Sequence, residues 1–120
     1  MIKTGVFALM LATVAAAHAA PDLACYQSSS NKRTYCIDRT EATSSGPMRA
    51  APAYQLEEDG TNKPTGLSVL ANCESKKTGL LDANGTDITG GRTPSPVATA
   101  LAETLCKLPT PKNNPLLPTF

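Results

Sequence analysis

Cys25, Cys36, Cys73 and Cys106 are the residues of this chain best suited to covalent chemistry, and their spacing decides which kind. No two of them form a C-x-x-C pair, and the single histidine is His18, so a tetrahedral zinc site lacks both its usual spacing and its usual nitrogen ligand. Four cysteines in a short exported chain read instead as two disulfides, because thiols do not persist in an oxidising compartment. Asp38, Glu41, Glu57, Asp82 and Asp87 are available for carboxylate acid–base work of the glycosidase type, but their spacing singles out no pair. Beyond residue 19 there is no histidine and no expected free thiol, so the usual general base and nucleophile are missing. The chain is therefore expected not to be an enzyme and to use no metal or cofactor.

The export signal lies at the start. Lys3 precedes an apolar run from Gly5 to Ala17 that is too short to span a bilayer, and Ala17-His18-Ala19 offers the A-x-A pattern that signal peptidase reads. Residues 1–19 are thus expected to be a signal peptide, with Ala20 as the mature start; cleavage after Ala17 is the alternative. Leu23-Ala24-Cys25 resembles the end of a lipobox, but Pro21 and Asp22 separate it from the apolar run and leave Cys25 for a disulfide. The expected location is the periplasm or the extracellular space.

Removing Lys3 leaves ten basic residues against ten acidic ones. The longest basic runs are Lys32-Arg33 and Lys76-Lys77, too short to follow a phosphate backbone, so nucleic acid is not an expected partner. These four cations are instead the candidate contacts to another protein, such as a host-matrix or envelope component. No integral membrane segment is expected in the mature chain.

The elements that must position these groups are short. Cys25-Tyr26-Gln27 faces Thr34-Tyr35-Cys36 across the polar stretch Ser28 to Arg33, which predicts a hairpin. A turn centred on Ser30-Asn31 puts Cys25 opposite Cys36 and Tyr26 opposite Tyr35 in one register, within disulfide reach, with both rings expected to fill core. Glu41 to Pro47 reads as a loop, and Met48 to Leu56 as a strand that Pro52 restricts to an edge or a bulge. Glu57 to Pro64 is a charged turn, and Gly66 to Glu74 a strand with Leu67, Val69 and Ala71 on one face.

Asn84-Gly85 predicts a type I′ hairpin turn between Leu80-Leu81-Asp82 and Thr86-Asp87-Ile88. That turn outweighs an EF-hand reading, whose sixth and twelfth positions would be Asp87 and Thr93 rather than Gly and Glu. Ser95 and Pro96 form an N-cap and first-turn pair, opening a helix to about Leu108 with Val97, Leu101, Leu105 and Leu108 in one stripe. Residues 20–108 are then a disulfide-stapled α+β domain and 109–120 a proline-rich flexible tail. With Cys25 and Cys36 paired, Cys73 is left for Cys106, tying a strand to the helix.

Three stretches carry a family resemblance: Tyr35-Cys36-Ile37-Asp38, like a Y-x-x-D strand ending; Asn72-Cys73-Glu74-Ser75-Lys76, like a D-C-x-x-R strand; and Ser95 to Cys106, like a closing helix with a terminal cysteine. On these residues the chain resembles the surface-adhesin protein E-like domains of proteobacteria, over roughly residues 32–107. The resemblance implies a small antiparallel, barrel-like β-sheet with one C-terminal α-helix and a Cys73–Cys106 bridge. Cys25 and Cys36 are additions to the family pattern, and Lys76 stands where Arg is usual. The resulting expectation is an exported, non-enzymatic binding domain, adhesin-like in function. The alternatives are an inhibitor of an exported hydrolase such as lysozyme, or a structural envelope protein.

Overall fold

Leu23–Gln27 (β1) and Thr34–Asp38 (β2) form the expected antiparallel hairpin, with Cys25 opposite Cys36 and Tyr26 opposite Tyr35. This computed structural model describes residues 22–89, 94–109 and 111–120; the expected signal peptide lies outside the described residues. The chain continues through a 3-10 turn, Arg39–Glu41, into Thr43–Ser45 (β3), Met48–Leu56 (β4), Asn62–Asn72 (β5), Lys77–Leu81 (β6), Pro96–Cys106 (α1) and Lys112–Asn113 (β7). The strands make one seven-stranded sheet, antiparallel except where β7 runs parallel to β3. Among the described residues, one α-helix and two disulfides complete an α+β architecture.

The organiser is β4. On one side it pairs with β5 along its whole length; on the other it meets β3 through Met48 to Ala50 and β2 through Ala53 to Leu56. Pro52 falls in the interval between those two partners, where no neighbour needs the N–H that proline lacks. The strand is thus central rather than an edge, and the irregularity Pro52 predicts follows directly after it. Pro52 faces Ser68 and Tyr54 faces Pro64, so Ala53 alone opposes Thr65, Gly66 and Leu67. Gly66 takes φ +79° to make this bulge, and the Thr65 hydroxyl donates 2.8 Å to the carbonyl of Ala53.

Both faces of the sheet are covered, which explains most departures from the sequence expectations. On one face Ile37, Ala51, Ala53, Val69 and Ala71 pack under Val97, Leu101, Ala102 and Leu105 of α1. The many alanines let helix and sheet approach closely but bury little area per residue, which is why a core of this kind needs covalent staples. On the other face Met48, Ala50, Leu70 and Leu81 form a second cluster, covered by Leu117 and Phe120. Residues 111–120 are therefore not a free tail. The segment adds β7 beside β3, and Asn114 N–H donates to Ser44 O at 2.7 Å. Its end is held where Asn72 Nδ2 donates 2.6 Å to the main-chain oxygen of Phe120, whose ring lies against Gly79. Met48, Ala50 and Leu70 face away from the helix and would otherwise be left in water.

Smaller corrections have local causes. Within 41–47 the expected loop holds β3, because β4's outer edge there needs a partner. β5 starts at Asn62, four residues earlier than the pattern of Gly66 to Glu74 suggests, because the bulge interrupts its alternation. At Ala83 to Gly85 only Gly85 has positive φ, +81°, so the turn is not type I′. Asp82 accepts from Asn84 N–H and Thr86 N–H and builds a type I-like turn closed by the glycine; the returning strand is limited to one bridge, Leu81 to Asp87. Ser95 caps α1 by accepting from Ala98 N–H, and the helix ends at Cys106, two residues early. There Arg49 Nη1 donates to the carbonyls of Leu105 and Leu108, each at 2.8 Å. The sheet does not close, so the barrel-like expectation fails in that respect: β1, β6 and the short β7 remain its margins.

Candidate binding cleft

The cysteines come together as expected, Cys25 with Cys36 and Cys73 with Cys106, with Cα atoms 4.1 and 5.5 Å apart; none of the four is free. The first bridge pins the hairpin on the face away from α1, with Cys36 fully buried. The second ties the end of β5 to the last residue of α1. Two such bridges belong to a non-cytoplasmic, oxidising setting. No helix among the described residues is long and apolar enough to cross a membrane.

The four candidate cations do not share a surface. Lys32 and Arg33 sit in the β1–β2 turn, beside Thr34, which pairs with Leu56 at one end of β4. Lys76 and Lys77 sit at the β5–β6 turn, where Lys77 pairs with Asn72 and Asn72 with Met48 at the other end. The nine residues of β4 separate the pairs by roughly 26 Å. Lys32 and Arg33 moreover share a depression with Glu57, Glu58 and Asp59, which offset their charge. Lys76 and Lys77 are joined by Lys107 across a depression that also holds Glu103.

The carboxylates are likewise dispersed, each on a local partner. Burial raises the pKa of Asp38, but the hydroxyl and N–H of Thr40 and the N–H of Asp22 outweigh it and hold the group below the ordinary range. Glu41 accepts from the Tyr54 hydroxyl at 2.7 Å; that bond first, then burial and the Glu41 and Asp38 charges, push Tyr54 up to about 12. Glu57 accepts from Gln55, Asp82 caps its own turn, and Asp87 accepts from Thr89 N–H. Among the described residues no three His, Cys, Asp or Glu side chains converge on a metal position.

A concavity with a largely aliphatic floor lies between α1 and the bulged end of the sheet. An 11-residue helix is about 16 Å long and an 11-residue strand about 36 Å, so α1 covers Val69 and Ala71 and leaves the first half of β5 open. The resulting cleft holds about 450 Å³. Tyr35, Ala53, Leu67, Val69 and Leu80 line it from the sheet, Val97, Ala98 and Leu101 from the helix, and Lys63 with Ser28, Ser30 and Asn31 form part of its rim. The rim is built rigidly: Lys32 takes φ +62°, Ser28 N–H donates to Arg33 O at 2.7 Å, and Asn31 Nδ2 donates to the Tyr35 hydroxyl at 3.1 Å. Tyr35 thus fills core and walls the cleft. Tyr26, expected in the core, is 39% exposed, and its hydroxyl lies 2.9 Å from that of Thr104. Lys63 and Thr65 were not singled out by their types, and Leu67 only as part of a strand face; the glycine inside an apolar strand, Gly66, is the signal that marks the bulge beneath them.

Fold and site together describe a small stapled α+β domain with one open, apolar-floored cleft between helix and sheet. No family model matches the chain, and comparison with curated proteins and with solved structures returns no match.

Proposed function

We propose that this chain is an exported, non-enzymatic binding domain, periplasmic or secreted after removal of residues 1–19, and that the cleft beside α1 is where it binds. The observation that carries the reading is the cleft itself: aliphatic side chains on its floor, a rim fixed by hydrogen bonds, and Lys63 as the single charged side chain among the described residues of its lining. Its volume falls in the 300–1,000 Å³ range of ligand sites. Nile red, a neutral apolar dye, is expected to brighten on binding the wild-type chain and to lose that signal in Leu67→Trp, which sets an indole across the cleft. Equal brightening in a folded Leu67→Trp variant would refute the assignment. Export is checked by mass spectrometry of natural material, with Ala20 as the expected first residue and no thiol reactive to iodoacetamide.

A second reading, adhesion to a protein partner, is favoured by Lys107 joining Lys76 and Lys77 at the other end of the sheet. It rests on the resemblance to protein E-like domains for its function. Retention on immobilised laminin or vitronectin that falls when Lys76 and Lys77 are changed to Gln supports it; equal retention on albumin counts against it.

A further inference from the structure

We infer that the cleft takes an amphipathic monocarboxylate, with an aliphatic chain of fatty-acid type on its floor and the carboxylate at Lys63. This rests on the binding reading above and names the ligand class for the same site. The depth of the cleft comes from Ala53 and Ala98, small side chains among larger ones, and its walls from Leu67, Leu80, Val97 and Leu101. Such a floor offers apolar contact and almost no hydrogen bonding. The Thr65 hydroxyl already donates to Ala53 O and accepts from Leu67 N–H, and Gln55 Nε2 is held by Glu57. A peptide backbone laid there would leave its own N–H and C=O groups without partners, at a cost an acyl chain does not incur.

The rim sets the head group. Lys63 is exposed and lines the cleft without any carboxylate beside it in the lining. The single ion pair among the described residues joins Arg39 to Asp22, at the opposite end of the β1–β2 hairpin from its turn. An anionic head therefore gains Lys63 as a counter-ion, and Ser28 and Ser30, whose hydroxyls share a 3.0 Å hydrogen bond, leave one neutral O–H donor on the same rim. A cationic head meets Lys63 as a like charge on the rim.

The test titrates the full disulfide-bonded chain with dodecanoate, dodecanol and dodecyltrimethylammonium, each below its micelle concentration. Dodecanoate is expected to bind about five-fold tighter than dodecanol, the scale of one exposed charge pair, and the ammonium amphiphile weakest. Lys63→Gln is expected to erase the difference between acid and alcohol, and Lys63→Glu to reverse it. If dodecanol equals dodecanoate, or the difference survives Lys63→Gln, the ligand class is wrong; loss of dodecanol binding in Leu67→Trp would then show that the cleft reading still stands. If a Leu67→Trp chain of unchanged melting temperature binds all three as wild type does, the cleft itself is wrong. Should Leu67→Trp fail to fold, spin-labelled dodecanoate replaces it: broadening of the Leu67, Leu80 and Val97 methyl signals supports the proposal, and broadening confined to other residues overturns it.

Discussion

Arg49 offers the sharpest test of how sheet and helix are coupled. Its side chain leaves β4 half-buried, and one guanidinium nitrogen donates to Leu105 O, in the last turn of α1, which also accepts from Leu108 N–H at 3.3 Å, and to Leu108 O, two residues beyond the helix end. Arg49→Met keeps the apolar stem and removes both bonds, so the loss isolates the charged end. A hydrogen bond to a charged group is worth about 1.5–3 kcal/mol when buried. Partial exposure and a shared donor bring the pair to about 2 kcal/mol, with the positive charge at the helix C-terminus included. For a domain of this size each kcal/mol moves Tm by about 4–8 °C, so Arg49→Met is expected to melt roughly 10 °C lower. Urea unfolding should show a lower midpoint with an unchanged m value, since the exposed area on unfolding hardly changes. The matched control is Arg33→Met, in an exposed turn, expected within about 0.5 kcal/mol of wild type. A melting temperature for Arg49→Met within 3 °C of wild type would refute the argument that this side chain closes the helix.

Other outcomes follow from the same geometry. Replacing Cys73 and Cys106 by Ala removes a link across 33 positions, worth about 3–4 kcal/mol, and is expected to leave the chain unfolded at 37 °C by circular dichroism; the Cys25, Cys36 pair, separated by 11, should cost about 1 kcal/mol less. At Gly79 an added Cβ would lie 2.7 Å from Phe120 Cε2, so Gly79→Ala is expected to destabilise by about 1 kcal/mol in wild type and by clearly less in a Phe120→Ala background, where only the 3.2 Å approach to Thr89 Oγ1 remains, a coupling that a double-mutant cycle measures. The Tyr54 pKa is raised in the folded state, so its contribution to stability is complete below pH 10 and is lost as pH rises through about 12. Absorbance titration at 295 nm should place this phenol near 12 in wild type and closer to 10 in Glu41→Gln. Asp38 has the opposite sign: its depressed pKa gives stability that is present above the ordinary carboxylate range and is lost as pH falls through the folded value, so Asp38→Asn should flatten the acid limb of a melting-temperature profile.

What the chain alone determined is local or covalent in origin. The hairpin register of β1 and β2 follows from one turn placing two cysteines and two tyrosines opposite each other at once. The start of α1 follows from Ser95 and Pro96, and the pairing of Cys73 with Cys106 is all that remains once Cys25 and Cys36 are joined. Pro52 announced an irregularity in β4 that Gly66 completes from the facing strand. Each of these depends on residues within a few positions of one another or on counting.

Only the tertiary structure decided what the last ten residues do, because four prolines near the C-terminus look the same in a free tail and in a strap. The difference lies far back in the chain, in Met48, Ala50 and Leu70, whose side chains face opposite to the helix and demand a cover that no short-range pattern names. The cleft is legible only afterwards for the same reason: it is the part of a long strand that a short helix does not reach, and that mismatch exists only once the two are packed. The charge pairs Lys32-Arg33 and Lys76-Lys77 are equally prominent in the sequence, yet the length of β4 holds them at opposite ends, so nearness in type did not become nearness in space.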